Sequence, residues 1–513
     1  MYRPPYTLDP RVSNLGDIID PGAPDDRPWV IDVEPDGRAT RLTYGEARAQ
    51  VDAAARGLAR RGLKRGASVG MLSANRAEML VAYFAIMRAG FVAVPINHKL
   101  ARPIIEHIVR DSAIALMYAD AERTAMVPPG LPAIPLDAAA PRWREHLDPG
   151  PFAAVAMPPD EPATILYTSG STGMPKGVPL LHGPYVWMVN QYAGLRPVLE
   201  GQPAIVAAPL FHMNALFFSK VIVQLGATNV LLRQFTGRAY IEAIDRHRVS
   251  MLTSVPTMLA LAVREREALA RADLSCVKFV YTGSAPLTQA LADKVRETFP
   301  GAEFANGYGT TESGPGGFGA HPQGRKRPDT AIGHPLPFVE VKLVGGATPD
   351  EGVMHIRAPT MMPGYLNLAQ KTAEKLNDGW YDSGDVMRRD ADGFYYFVGR
   401  ADDMFVCGGE NIYPGEVEKL LERHGGVHQA SVVPVADEIK GEVPIAFLVA
   451  RKGMAPTEDD IKRYALANGP AYAHPRRAVF LPELPLAGTN KIDRKALVTR
   501  ARELFPNGVR EGR

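Results

Sequence analysis

The chain of 513 residues is poor in cysteine: Cys276 and Cys407 are its only two, far apart and outside any CxxC pair. That argues against a disulfide framework and a zinc ribbon and favours a reducing, cytoplasmic setting. No stretch reaches the roughly 18 to 20 uninterrupted apolar residues of a membrane span, so none is expected. The N-terminus holds Pro4, Pro5, Asp9 and Pro10 and lacks the basic-then-apolar order of a signal peptide. Neither charge sign dominates. Lys and Arg number 58 against 56 Asp and Glu, a formal net charge of +2 with no basic arm or acidic tail, which argues against nucleic acid as a partner. Internal repeats and low-complexity tracts are absent too. What is present is apolar bulk: 46% hydrophobic residues over this length exceed one ordinary core and predict at least two domains with a cleft between them.

Apolar periodicity predicts helices over 43–61 (with Thr43 as N-cap), 78–89 and 102–112, and strands over 67–73, 91–96 and 114–118. This alternation implies a mostly parallel sheet flanked by helices. A proline-rich stretch, 148–162, reads as a subdomain junction near 162. Alternation then resumes to about 344, and a smaller β-rich unit follows from 339 to about 397. From 400 the pattern becomes a compact α+β unit, with a helix over 414–423 that opens on Pro414, strands over 430–435 and 444–450, and a helix over 457–466. The expected fold class is α/β, with domains at 1–400 and 401–513.

Several motifs sit at the ends of strand-like runs. Tyr167-Thr168-Ser169-Gly170-Ser171-Thr172-Gly173-Met174-Pro175-Lys176 packs glycines, hydroxyls and one lysine into a loop whose amides can surround phosphate oxygens. It is no Walker A loop, because GK[ST] is missing and Pro175 resists immediate continuation into a helix. Pro209-Leu-Phe-His212-Met213-Asn214 places a histidine and an amide where open α/β sheets hold ligands. Tyr281-Thr282-Gly283-Ser284-Ala285-Pro286 and Asn306-Gly307-Tyr308-Gly309-Thr310-Thr311-Glu312 combine close backbone approach, a ring for stacking on a base and a hard oxygen for a metal ion. Further on come Asp385 after Ser-Gly, the run Gly399-Arg400-Ala-Asp402-Asp403, the pair Gly408-Gly409, and Lys491 on a polar, turn-prone segment. Taken singly, an Asp after Ser-Gly is more often a turn, a lone histidine a structural residue and a lone lysine ordinary surface.

In this order and spacing the motifs resemble the adenylate-forming superfamily of acyl-CoA synthetases, luciferases and nonribosomal adenylation domains, from about Leu42 to Leu497. The resemblance implies a large N-terminal domain of two α/β subdomains plus a β-barrel-like piece, closed by a small mobile C-terminal domain. It implies that Thr168 to Lys176 close over the β and γ phosphates of ATP, that Gly283, Ser284, Ala285 and Pro286 line the adenine pocket, and that Tyr308 stacks on the base. Asn306, Gly307, Gly309 and Thr310 belong to the same nucleotide-binding set, as does Phe397. Thr311 would touch the α-phosphate, Glu312 would hold Mg²⁺, and Asp385 with Arg400 would grip the ribose. Lys491 matches the lysine that bridges carboxylate and α-phosphate, although Asn490 replaces the usual preceding glycine, and Asp402 matches the hinge of the small domain. Coenzyme A would enter beside Gly408 and Gly409, with Lys440 and His474 as candidate neighbours of its phosphates.

The expected reaction joins a carboxylic acid to AMP from ATP and then to coenzyme A. Thr168, Lys176, His212, Glu312, Asp402 and Lys491 form the catalytic set. For the acid pocket the expectation is His212, Met213, Asn214, Ser254, Met258, Thr282, Gly307, Gly309 and Thr310, mixed but mostly uncharged. The segment 255–262 lacks the arginine that malonate-activating relatives carry, which lowers a dicarboxylate and favours an acid with an apolar or aromatic tail. Alternatives are transfer to a carrier-protein phosphopantetheine thiol and, in another class, a non-catalytic adenylate-binding protein. Neither cysteine is assigned a catalytic part, and a homodimer is left open.

Overall fold

The computed structural model describes residues 13–19, 21–168, 174–195, 199–407, 410–437, 440–470, 473–487, 491–506 and 508–509. Two sheets form the body of a large N-terminal domain. One has six strands, in the order Ala133–Pro135, Ile114–Ala119, Ser68–Leu72, Val92–Pro95, Pro162–Thr168 and Lys176–Leu181, parallel except for the last pair. The other has seven, in the order Glu303–Gly307, Phe279–Gly283, Met251–Ser254, Pro203–Val206, Thr228–Leu232, Pro28–Val33 and Ala39–Thr43, again parallel except for the last pair. Ser68–Leu72 and Thr228–Leu232 are buried at every position, as parallel strands covered on both faces must be. The helix Tyr44–Ala59 begins where expected, its N-cap Thr43 exchanging hydrogen bonds with Glu46 in a capping box.

The two sheets interleave. Pro162–Thr168 joins the first sheet beside Val92–Pro95, while Pro28–Val33, earlier in the chain than any strand of that sheet, pairs with Thr228–Leu232 of the second. The proline-rich stretch before 162 therefore does not separate the sheets, and one buried apolar cluster runs through both.

A five-stranded antiparallel sheet of Glu340–Val344, Glu351–Arg357, Leu376–Asn377, Trp380–Arg389 and Tyr395–Arg400 follows. Along Glu351–Arg357 every second residue is buried, the mark of a half-covered sheet. From Phe405 a small α+β domain has a core of its own, with a five-stranded sheet against the helices Pro414–Glu422, Glu458–Asn468 and Arg494–Leu504. Among the described residues no helix is long and apolar enough to cross a membrane.

Candidate active site

The carboxyl ends of the parallel strands Met251–Ser254, Phe279–Gly283 and Glu303–Gly307 open on a cavity of about 2760 Å³ that the small domain covers. Val255, Ser284 and Gly307, each at or just past a strand end, line it, as do Lys491 and Lys419 from the small domain. Close strand ends need small residues. A Cβ on Gly283 would lie 2.6 Å from the Gly307 carbonyl oxygen, and one on Gly309 2.9 Å from that of Gly314. Ser284 adopts φ +66, a strained conformation for a residue with a Cβ, and so turns the chain at the cavity wall with Ala285 and Pro286 beside it.

One side of the cavity is a polar grip. Tyr308 donates its hydroxyl to one Asp385 oxygen at 2.5 Å, and Arg400 binds the other at 2.8 Å while its Nε reaches Asp402 at 2.8 Å. The Ser383 hydroxyl accepts the Asp385 amide and donates to the Met354 carbonyl, which fixes the turn that presents Asp385. Burial pushes the Asp385 carboxyl up, and Arg400 and the Tyr308 hydroxyl pull it back. Phe397 lines the cavity beside this grip. Asn306 lines it too and is tied down through its amide to the Thr330 carbonyl at 3.0 Å.

Across from the grip stands Glu312, presented by a turn in which the Gly314 amide reaches the Thr310 carbonyl and the Thr310 hydroxyl accepts the Ser313 amide. Its carboxylate accepts from Tyr365 at 3.1 Å and from Thr168 at 3.4 Å. The Lys176 ammonium lies 4.4 Å from the centre of the Tyr365 ring, and burial lowers its pKa against the attraction of Glu312. Thr311 also lines the cavity. The phosphate-loop residues Ser169, Gly170, Ser171, Thr172 and Gly173 lie outside the described residues, as do Gly408 and Gly409. Thr168 and Lys176, which bracket that loop, face one another across the strand pair that carries them.

Lys491 enters from the small domain. It lies on a short antiparallel pairing, with the Ala487 amide on the Lys491 carbonyl at 2.7 Å and the Asp493 amide on the Pro485 carbonyl at 2.8 Å. Its side chain faces open cavity and stays reachable by water, yet it sits close enough to Asp385, Arg400 and His212 to feel their charge or act on it. Burial lowers its pKa, Asp385 opposes that and Arg400 reinforces it. His212 caps the helix Met213–Gln224 with its ring edge on Phe211, and burial, helped by Lys491, holds its pKa down to about 3. The imidazole is therefore neutral at working pH, with Nε2 lacking a protein partner. Sequence reasoning missed Asn75, which donates to the carbonyls of Ala208 and Leu232 and accepts the Leu210 amide, so that it clamps the loop ahead of His212. It also missed Tyr365, which like Asn75 stands in no motif, and it gave no role to Ser383, the serine of the Ser-Gly-Asp385 run.

Met213, Asn214, Met258, Gly309 and Thr310 line the cavity. Ser254 and Thr282 do not. Both are fully buried, Ser254 at the end of its strand and Thr282 one residue before the end of its own. Lys440 and His474 lie outside the cavity too: the Lys440 amide donates to the Asp437 carboxylate, and the His474 carbonyl accepts from Arg476. Among the described residues of the small domain, Lys491 lines the cavity and Phe405 and Cys407 do not.

A family model described as AMP-binding enzyme matches residues 21–366, and one described as AMP-binding enzyme C-terminal domain matches 416–491. The chain belongs to the AMP-binding enzyme family. Curated relatives include a feruloyl-CoA synthase of Amycolatopsis sp, 34% identical over 467 residues, which span 88% of this chain and 92% of the relative. A fatty acid–[acyl-carrier-protein] ligase of Streptomyces coeruleorubidus is 32% identical over 479 residues, spanning 90% and 91%. Among solved structures, an anthranilate CoA ligase in complex with anthranoyl-AMP superposes with a TM-score of 0.84 at 25% identity, covering 96% of this chain and 97% of that one. This family member has a large N-terminal and a small C-terminal domain, as those relatives do.

Proposed function

We propose that this enzyme activates a carboxylic acid with ATP to an acyl-adenylate, releasing pyrophosphate, and then transfers the acyl group to coenzyme A with release of AMP. The observation that carries this reading is the convergence of Lys491, Asp385 with Arg400, and Glu312 with Lys176 on one cavity from two domains. In the first half-reaction a carboxylate oxygen attacks the α-phosphorus, an O–P bond forms and the bond to pyrophosphate breaks. Two anions must meet, and the Lys491 ammonium offsets both their repulsion and the charge that grows in the transition state. Lys176 and the loop 168–176 hold the β and γ phosphates, Thr311 the α-phosphate, Asp385 and Arg400 the ribose, and Tyr308 with the backbone of 283–286 the adenine.

Glu312 and the Thr168 hydroxyl are hard oxygen donors facing the cavity, which fits Mg²⁺, an ion that completes its shell with water and phosphate oxygens. Bound there, it would neutralise the leaving pyrophosphate. Among the described residues no cluster of three His, Cys, Asp or Glu could hold an ion without the nucleotide.

In the second half-reaction the thiol sulfur bonds to the acyl carbon and AMP leaves with the bonding pair. The small domain turns about Asp402, Lys491 withdraws and the loop at Gly408 and Gly409 takes its place, so one cleft serves two reactions. Similarity to an acyl-carrier-protein ligase keeps a carrier thiol as the second reading for the acceptor. The reaction setting is a reducing compartment, in keeping with two unpaired cysteines.

A panel of acids assayed for pyrophosphate exchange, and for AMP release with and without coenzyme A, tests the reading; no exchange with any acid overturns it. Lys491→Ala separates the halves: adenylation falls by on the order of a hundredfold or more, while thioester formation from supplied acyl-adenylate survives. Equal loss of both steps would refute the alternating lid.

A further inference from the structure

Lys375, the last residue of the helix Ala369–Lys375, lines the cavity and stands in no sequence motif. The segment that leads to it is fastened to the phosphate end of the site. The Leu366 amide donates to the Gly177 carbonyl at 2.8 Å, next to Lys176, and the Met362 amide donates to the Glu312 carbonyl at 2.8 Å. The Tyr365 hydroxyl holds the Glu312 carboxylate, and the Tyr365 amide donates to the Thr372 hydroxyl at 2.9 Å, three residues before Lys375. One stretch of backbone, 362–375, thus links Lys176, Glu312 and Lys375. The Lys375 ammonium donates to one Asp382 oxygen at 3.0 Å, while the other Asp382 oxygen accepts the Gly384 amide at 2.9 Å. An ammonium has three N–H donors, and no other protein acceptor among the described residues takes the remaining two. A Cβ on Gly384, φ +68, would lie 3.1 Å from the Arg400 guanidinium and 3.6 Å from the Lys375 ammonium, so this glycine leaves room for both cations beside the turn that presents Asp385. Burial lowers the Lys176 pKa, Glu312 opposes that and Lys375 adds to it, which puts the two lysines within electrostatic range.

We propose that Lys375 is a further phosphate-binding residue, which together with Lys176 holds the β and γ phosphates of ATP and the pyrophosphate that leaves. The inference rests on the acid-activating reading above and adds a residue to its phosphate site. Arg400 is already bound to Asp385 and Asp402, which leaves it little charge to offer the far phosphates. Lys375 has a single carboxylate contact in a pair whose side chains are 34% and 27% exposed, a weak attachment that a more highly charged phosphate outcompetes. Its flexible four-carbon stem lets the ammonium follow that anion, while Asp382 keeps its bond to the Gly384 amide and the turn stays in place. Breaking the bond between the α and β phosphates gathers charge on the leaving pyrophosphate, so a cation held there favours the transition state over bound ATP.

The test compares Kd for ATP with Mg²⁺ and Kd for AMP, by calorimetry without any acid, in the native enzyme and in Lys375→Ala, Lys375→Gln and Lys375→Arg. Loss of a charge-assisted contact to phosphate should weaken ATP at least about tenfold in Lys375→Ala and Lys375→Gln and leave AMP within about twofold. Lys375→Gln keeps a donor for Asp382, so its loss reports the charge, and Lys375→Arg should recover part of the affinity. Lys371 is exposed, pairs with Glu374 and does not line the cavity, so Lys371→Ala should bind both nucleotides as the native enzyme does. With an acid that supports pyrophosphate exchange, Lys375→Ala should raise KM for pyrophosphate at least about tenfold and leave transfer from supplied acyl-adenylate within about twofold. Unchanged ATP affinity overturns the proposal. Equal loss of ATP and AMP overturns it as well, since Lys375 would then only shape the turn of Asp385 through Asp382. If Lys375→Ala does not fold, Lys375→Gln decides. If no acid supports exchange while the contrast between ATP and AMP holds, the acid-activating reading falls and the phosphate site stands.

Discussion

On the helix Met213–Gln224, Lys220 is 2% exposed and donates to the Tyr83 hydroxyl at 3.0 Å, with its ammonium 4.9 Å from that ring's centre. No carboxylate contributes to its shift; burial alone brings its pKa down to about 7. Between about pH 7 and the ordinary lysine value the unfolded chain binds a proton that the native protein does not, so this residue makes stability rise with pH across that window. Lys220→Met should remove that rise and, at pH 7, stabilise the fold by about 1–4 kcal/mol, since an apolar side chain of similar length avoids the desolvation. Urea unfolding at pH 7 and pH 9 checks both parts; a variant that keeps the native pH dependence would show that Lys220 is not its source. Lys220 stands in a helix whose residues 215–223 are all buried. Its burial depends on what packs against the helix from Tyr83, far away in sequence, and one chain's pattern does not carry that.

At the scale of elements, the segment that carries Lys491 runs into the helix Arg494–Leu504, and Arg494 ties that helix to the rest of the small domain. Its guanidinium reaches Glu418 on the helix Pro414–Glu422 at 2.7 Å and the Val432 carbonyl at 2.9 Å, while Glu418 accepts the Val432 amide at 2.7 Å. Burial opposes the Arg494 charge, Glu418 and Asp403 outweigh it, and its pKa rises. Since this clamp lies within one domain it survives any turn of that domain, but it is Lys491 that it aims. Glu418→Gln should therefore slow adenylation at least about tenfold and change transfer from supplied acyl-adenylate by less than about twofold, with Glu418→Asp recovering part of the loss. A clamp that only holds the domain together would depress both steps alike. Tyr44–Ala59, with its capping box, and Pro414–Glu422, with its leading proline, were readable because their start signals are local. Glu312, Asp385 and Lys491 were readable because their motifs recur in order. Ser254 and Thr282 were misplaced because the direction of a side chain at a strand end depends on register, and Asn75 was missed because its three hydrogen bonds go to backbone distant in sequence.

For the whole molecule, the domains meet beside the strand Tyr395–Arg400. The Lys419 ammonium donates to the Phe397 carbonyl at 2.8 Å, and Tyr413 and Gly415 pack on the strand Tyr395–Arg400. Such a seam can open and re-form, and Asp402, held by Arg400, lies where the strand ends and the small domain begins. Asp402→Pro, which freezes one backbone torsion there, should keep pyrophosphate exchange within about threefold while acyl transfer falls by on the order of a hundredfold. Loss of exchange to the same degree would show that the residue supports the site instead of the turn. The interleaved sheets bear on synthesis. Pro28–Val33 is made early, yet it pairs with Thr228–Leu232 and cannot be covered until that strand has left the ribosome. At about 5–20 residues per second the wait is roughly 10 to 40 s, during which an apolar strand stands with an open edge. A nascent chain of this enzyme is thus a natural client for ribosome-associated chaperones, and its yield in a cell should depend on how fast the middle of the message is read.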